Sequence, residues 1–266
     1  MSVTRAMHIA ADGTKINYRV DGSAGPWITL IAGITNDLSF WDDQVLAFAD
    51  RFRVLRYDAR GHGASDPAPS GYSVAGLTGD LVGLWDALGI DRSHLVGLGF
   101  GGSLAIALAI DQPARVDRLV AVACRDSMTP DFIETWRRRA TEAVAGGMAP
   151  LVADTVGRWC SEAFAKARPD QLQRLAAMVT TTSVPGYVGH ALAFTTIDLA
   201  PRLDDLIAPT LFVSGGADPG GGRSEIMADM ASRARHARHV SLPGAGHLCT
   251  IEAGTEFNEI LLAFLA

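Results

Sequence analysis

The nine residues His94-Leu95-Val96-Gly97-Leu98-Gly99-Phe100-Gly101-Gly102 constrain this chain more than any other stretch. An apolar run of strand length stops abruptly. Glycines at alternate positions bracket a turn, and a helix of small residues, Gly102 to Ile110, begins at once. A strand that passes straight into a helix needs a sharp turn, and Gly97 and Gly101 leave room for one. The middle residue of such a turn takes a strained backbone angle and presents its side chain to a pocket. That residue is Gly99, which has no side chain.

The rest of the chain repeats the alternation. Lys15-Ile16-Asn17-Tyr18-Arg19-Val20 alternates as a half-buried strand after the turn signal Asp12-Gly13, so a hairpin is expected at the start. Short apolar runs follow at Trp27 to Ala32, Val54 to Tyr57, Leu119 to Ala123, Thr210 to Ser214 and His239 to Leu242. Runs without polar alternation suit strands buried on both faces of a parallel sheet. Ser73 suits the N-cap of a helix carrying Leu77, Leu81, Leu84, Trp85 and Leu88, and Ala253 to Leu265 reads as a closing helix. The pattern predicts an α/β fold with a mostly parallel, doubly wound sheet. It breaks once, between about Ser127 and Leu206, where helical patterns occur without a good strand. We therefore expect a core domain from 1–126 and 207–266 and an inserted helical cap at 127–206. The ligand crevice of such a sheet lies at the carboxyl ends of the strands, here beneath the insertion.

Composition narrows the function. The 266 residues carry 23 basic and 29 acidic side chains, a formal charge of -6. That sign disfavours a nucleic-acid partner. Arg137-Arg138-Arg139 falls in a helical pattern and reads as a solvated face. The three cysteines lack metal-ligand spacing and are too few for a disulfide framework. The N-terminus shows no apolar segment of signal-peptide length, and no run is long enough to span a bilayer. A cytoplasmic protein with a small-molecule substrate, no metal and no membrane partner is expected; the oligomeric state is open. Gly220-Gly221-Gly222 lies in a loop after an acidic residue, not between a strand and a helix, so neither a phosphate cradle nor any other cofactor site is implied.

The glycine-bracketed turn has the form of a nucleophile elbow, G-x-S-x-G, with glycine in the serine position. Further stretches carry a resemblance: Arg56-Tyr57-Asp58-Ala59-Arg60-Gly61-His62-Gly63-Ala64-Ser65, Gly147-Met148, Arg158-Trp159, Pro185-Gly186-Tyr187, Ala208-Pro209-Thr210-Leu211 and Ala245-Gly246-His247-Leu248. On these the chain resembles the α/β-hydrolase superfamily, and within it the 3-oxoadipate enol-lactonase branch. The resemblance implies hydrolysis of a small, carboxylate-bearing lactone or ester. It places the catalytic acid at Asp218, in Gly215-Gly216-Ala217-Asp218-Pro219, and the histidine at His247. Asp126, just after an earlier strand, is the alternative acid. The oxyanion hole is expected from the backbone N–H groups of Ile34 and Phe100. Many relatives carry His-Gly where this chain has Ala32-Gly33. Trp136, Arg158, Trp159, Arg125 and Cys124 are the expected substrate-binding residues. Cys124 and Ser103 are also weighed as substitute nucleophiles. His62 belongs to the turn motif, and His8, His94, His190, His236 and His239 have no catalytic context.

The chemistry of the remaining pair is general. A neutral imidazole takes a proton from a hydroxyl or a water, while a carboxylate on its other nitrogen fixes the tautomer and stabilises the resulting cation. Gly99 leaves three readings. The chain is an inactivated form of a serine hydrolase; or glycine is native and His247 acts as general base on water or on the substrate itself, giving non-covalent hydrolysis, decarboxylation or isomerisation; or the site is silent and binds a ligand only.

Overall fold

The chain begins with the hairpin that Asp12-Gly13 announces. In a computed structural model that describes residues 3–266, β1 (Val3–Ile9) pairs antiparallel with β2 (Lys15–Asp21), Ile9 opposite Lys15. β2 in turn runs antiparallel to β4 (Arg53–Tyr57). From there the sheet is parallel: β3 (Trp27–Ile31), β4, β5 (Ser93–Leu98), β6 (Val116–Val122), β7 (Thr210–Gly215) and β8 (Ala237–Leu242). The eight strands lie in the order β1-β2-β4-β3-β5-β6-β7-β8. The reversal of winding falls between β3 and β5, where a crevice opens at the strand ends.

Helices on both faces explain the continuous apolar runs. Successive strand residues point to opposite sides, so both must be apolar when both sides are covered. Leu95, Leu119, Ala121 and Phe212 face one layer, formed by α2 (Val74–Ala87), α3 (Phe100–Asp111) and α9 (Ser224–Arg233). Val96, Val120, Val122, Leu211 and Val213 face the other, formed by α1 (Asp42–Phe48) and α11 (Gly254–Leu265), with the one-turn α10 (Cys249–Glu252) before it. Ser73 caps α2, its hydroxyl accepting from the Gly76 N–H at 3.0 Å. The apolar pattern did not announce α1 or α9; both are short helices with mixed faces.

Between β6 and β7 the chain runs through α4 (Pro130–Gly146), α5 (Val152–Trp159), α6 (Glu162–Ala167), α7 (Pro169–Thr181) and α8 (Val184–Phe194). Proline opens α4 and α7, where a missing N–H costs nothing, and the hydroxyls of Ser161 and Ser183 cap α6 and α8. Within this stretch the one strand-like pairing among the described residues is an isolated bridge from Ser127 to Asp198. Among the described residues no helix is long and apolar enough to cross a membrane.

Candidate active site

The turn between β5 and α3 holds Gly99 at φ 57° and ψ -124°, a conformation that L side chains rarely adopt. Its two flanking glycines are fixed by packing. A Cβ at Gly97 would lie 2.3 Å from the Gly101 carbonyl oxygen, and one at Gly101 would lie 2.5 Å from the carbonyl oxygens of Ile31 and Ala32. Gly99 differs. A Cβ there would meet only the His247 ring, with Nε2 at 3.4 Å and Cε1 at 3.9 Å.

His247 follows β8 in a loop that is clamped from two sides. The Gly246 N–H donates to Glu252 Oε1 at 2.9 Å, and the Leu248 N–H donates to the Trp159 carbonyl at 2.9 Å. Glu252 also accepts from the Ser161 N–H and hydroxyl, so one carboxylate ties the histidine loop to α6. The loop after β7 packs backbone to backbone against it. A Cβ at Gly215 would sit 1.9 Å from the Gly246 carbonyl oxygen, and the Ala217 N–H donates to the Ala245 carbonyl. This close approach brings Asp218 beneath the ring. His247 Nδ1 donates to Asp218 Oδ2 at 2.9 Å, which leaves the Nε2 lone pair facing Gly99. Burial works against the Asp218 carboxylate. The His247 hydrogen bond and charge, with the N–H groups of Gly220 and Gly222, outweigh it and hold the pKa below the ordinary value. Asp126 lies elsewhere: Arg233 binds its Oδ2 at 2.5 Å and Ser127 donates to its Oδ1.

A cleft of about 750 Å³, its open mouth included, joins these parts. Ile34, Phe100, Trp136, Arg158, Trp159 and Arg125 line it, as do Asp218 and His247. Among the described residues the N–H groups of Ile34 and Phe100 donate to no protein acceptor. The non-glycine residue Ala123 turns the chain at φ 45° after β6 and sets Arg125 on the cleft wall.

The profile of the alpha/beta hydrolase fold family matches residues 26–253. The chain belongs to this family. It is 30% identical over 257 residues to 3-oxoadipate enol-lactonase 1 of Acinetobacter baylyi, covering 95% of this chain and 94% of that protein. The crystal structure of the enol-lactonase from Burkholderia xenovorans superposes with a TM-score of 0.92 at 33% identity, over 98% of this chain and 99% of that one. A hydrolase from Pseudomonas aeruginosa gives a TM-score of 0.94 at 33% identity, over 99% and 98%. The expected fold class is therefore established, and the chain is related to hydrolases along nearly its whole length.

Two expectations for this hydrolase need correction. Cys124 does not line the cleft. It is 1% exposed and wedged against α3, where a Cβ at Gly102 would come within 2.7 Å of its own Cβ. Burial pushes its thiol pKa up, away from the reactive thiolate. The strand end twists at Ala123, so neighbouring residues face opposite ways and Arg125, not Cys124, reaches the pocket. The second correction concerns Arg137-Arg138-Arg139, which is not uniformly solvated. Arg138 is exposed and pairs with Glu142, but Arg139 is 3% exposed and lines the cleft. Its Nε donates to the Tyr187 hydroxyl at 3.1 Å, and its amino groups bind Asp154 and Thr155. A helix of period 3.6 turns one residue of three inward, a detail the charge run conceals.

Arg125 stands apart among the arginines. Arg56, Arg60, Arg125 and Arg139 are the four buried ones. Arg56 pairs with Asp21 and Asp42, Arg60 with Asp80 and Asp12, Arg139 with Asp154. Among the described residues Arg125 has no carboxylate within 4.0 Å; its Nε donates to the Gly221 carbonyl at 2.9 Å and its guanidinium lies 4.3 Å from the Phe132 ring centre. Its two amino nitrogens have no protein acceptor and are not sealed from solvent. Burial, then the Arg223 charge, lower its pKa. Arg158, by contrast, is 44% exposed on its side chain and already shares Asp154 with Arg139.

Proposed function

We propose that this hydrolase cleaves a small, carboxylate-bearing ester or lactone by using His247 as a general base on water. The observation that carries the reading is the 3.4 Å separation between His247 Nε2 and the Cβ position of Gly99. Gly99 occupies the nucleophile position of the elbow, and the room that a serine would fill is left for a water. Nε2 accepts a proton from that water, whose oxygen attacks the substrate carbonyl. Asp218 steadies the imidazolium, and the N–H groups of Ile34 and Phe100 receive the developing oxyanion. Collapse expels the alkoxide or enolate, which takes the proton back from His247. General-base assistance contributes roughly 10²–10⁴-fold and an oxyanion donor about 10²–10³-fold.

The substrate class follows from the charge on the wall. The amino nitrogens of Arg125 open on the cleft and, among the described residues, have no carboxylate beside them, an arrangement suited to a ligand carboxylate. Arg125 therefore takes the substrate carboxylate, with Arg158 at the mouth as a weaker second cation. Trp136, Trp159, Phe132 and Phe194 provide the apolar walls. The segment 127–206 acts as the cap that excludes bulk water, over a core of 1–126 and 207–266. Similarity to the enol-lactonases supports the same class.

A second reading rests on the same space. A site that is complete but for one hydroxyl is also that of a serine hydrolase held inactive by glycine, which binds its substrate and turns over little. Assays of this chain, His247→Ala and Gly99→Ser on p-nitrophenyl acetate and an enol-lactone separate the two. Water activation requires turnover by this chain that His247→Ala abolishes and no acyl adduct in the intact mass. Turnover only in Gly99→Ser selects the inactive-hydrolase reading. Binding without turnover in both forms makes the chain a ligand-binding protein.

A further inference from the structure

We propose that Glu252 is a positioning residue for His247, and that through Glu252 and Trp159 the cap sets the aim of the imidazole. The inference rests on the general-base reading of His247. Among the described residues the ring makes one hydrogen bond, from Nδ1 to Asp218 Oδ2 at 2.9 Å. That bond fixes the rotation of the ring but not the place of the backbone that carries it. The place is set by the peptides on either side, and both lead to the segment between α5 and α6. The Leu248 N–H donates to the carbonyl of Trp159, the last residue of α5, at 2.9 Å. The Gly246 N–H donates to Glu252 Oε1 at 2.9 Å. Glu252 also accepts from the N–H of Ser161 at 3.1 Å and from its hydroxyl at 2.5 Å, and Ser161 is the N-cap of α6.

The packing leaves no slack at this junction. A Cβ at Gly246 would lie 2.6 Å from Glu252 Oε1, 2.9 Å from the Trp159 carbonyl oxygen and 3.0 Å from the Ser161 nitrogen. Among the described residues Glu252 has no Lys, Arg or His nitrogen within 4.0 Å, so dipolar donors alone hold its carboxylate, and they come from the histidine loop and the cap. The segment that holds the loop also meets the ligand, since Arg158 and Trp159 line the cleft. Misplacing a reacting group by about 1 Å can lower a rate on the order of 10²-fold, and a peptide freed on one side of His247 permits such a shift at Nε2.

A prop for the fold and a positioning residue differ in what their loss changes. Loss of a prop lowers the melting temperature and leaves kcat of the folded chain alone. Loss of a positioning residue lowers kcat well below the melting temperature. It leaves KM nearly unchanged, because the cleft walls still bind the substrate, and it disturbs the bond between His247 and Asp218.

The test compares the full chain with Glu252→Ala, Ser161→Ala and the double variant on p-nitrophenyl acetate, below every melting temperature. Glu252→Ala should lower kcat about 10–100-fold and leave KM within about threefold. Ser161→Ala removes the hydroxyl donor alone, so it should lower kcat less, and it should add little once Glu252 is gone, because both act through one carboxylate. Proton NMR follows the Nδ1 hydrogen shared with Asp218, identified by its loss in Asp218→Asn and in His247→Ala; in Glu252→Ala it should move upfield and exchange faster with solvent. A kcat for Glu252→Ala within about threefold of the parent overturns the positioning, as do fully multiplicative effects of the two substitutions. If the parent shows no His247-dependent turnover, the general-base reading falls and the NMR signal decides alone: unmoved in Glu252→Ala it overturns the positioning, displaced it upholds it. Glu252→Gln keeps an acceptor for the Gly246 N–H and carries the same measurements should Glu252→Ala fail to fold, with an expected loss in kcat of about three- to tenfold.

Discussion

His247 Nε2 stands 3.4 Å from the point where a side chain at Gly99 would begin. A hydroxyl carried on that side chain would fall within hydrogen-bonding reach of the ring. Gly99→Ser is expected to raise p-nitrophenyl acetate turnover on the order of a thousandfold, because a covalent route opens beside an acid and base already in place. Serine at φ 57° should cost about 1–3 kcal/mol of stability. Steady-state rates and an acetyl adduct in the intact mass check the gain; an unchanged rate would mean the couple is not aligned for attack.

Asp218→Asn is expected to lower turnover roughly 10²–10⁴-fold with little change in KM, because the amide no longer fixes the tautomer or stabilises the imidazolium. The Asp126→Asn variant is the control. Its carboxylate is spent on Arg233, so a loss of kcat comparable with that of Asp218→Asn would mean the acid is wrongly assigned.

Arg125→Met is expected to raise KM for a carboxylate-bearing ester roughly 10–100-fold and to leave neutral p-nitrophenyl acetate nearly unaffected. Since Arg125 has no carboxylate within 4.0 Å among the described residues, its removal should lower the melting temperature by no more than the loss of its Gly221 hydrogen bond and Phe132 contact implies. A matching loss with the neutral ester would show that Arg125 supports the wall and not the anion.

Gly97→Ala and Gly101→Ala should both unfold the elbow region, since the new methyl group would press on backbone oxygens at 2.3 and 2.5 Å. Gly99→Ala, whose methyl group would meet only the His247 ring at 3.4 Å, should retain the fold at a cost of about 1–3 kcal/mol for its φ of 57°. Urea midpoints for the three variants rank them, and equal losses would contradict the packing described.

The buried pair His62 and His190, whose ring centres are 4.4 Å apart, sets a pH limit on stability. Burial lowers the His62 pKa to about 4 from 6.5, and lowers His190 in the same direction. At pH 7 both are neutral in the folded chain and mostly neutral in the unfolded one. Below the unfolded value the unfolded chain takes up protons first, so stability falls with pH until the folded chain protonates near pH 4. His62 accounts for about 3 kcal/mol of that fall. Urea unfolding of His62→Gln between pH 7 and 4.5 should show a shallower decline than the parent; parallel curves would refute it.

Glu252 illustrates what the sequence conceals. It lies on a one-turn helix with no motif around it, and its role appears only when Ser161, 91 residues away, arrives to share its carboxylate. Arg139 is hidden in the same way by its charged neighbours.

By itself the sequence determined the strands and the sharp strand-to-helix turn at Gly99, features written in local periodicity and in glycine spacing, which act within a few residues; Asp218 and His247 are expected from the family resemblance and not from any local pattern. Only the tertiary structure decided which charges meet. Asp126 finds Arg233 across 107 residues, His247 finds Asp218 across 29, and Arg125 faces the cleft with a carbonyl for a partner and, among the described residues, no carboxylate within 4.0 Å. Ion pairing depends on distance in space and on burial, neither of which a linear pattern encodes.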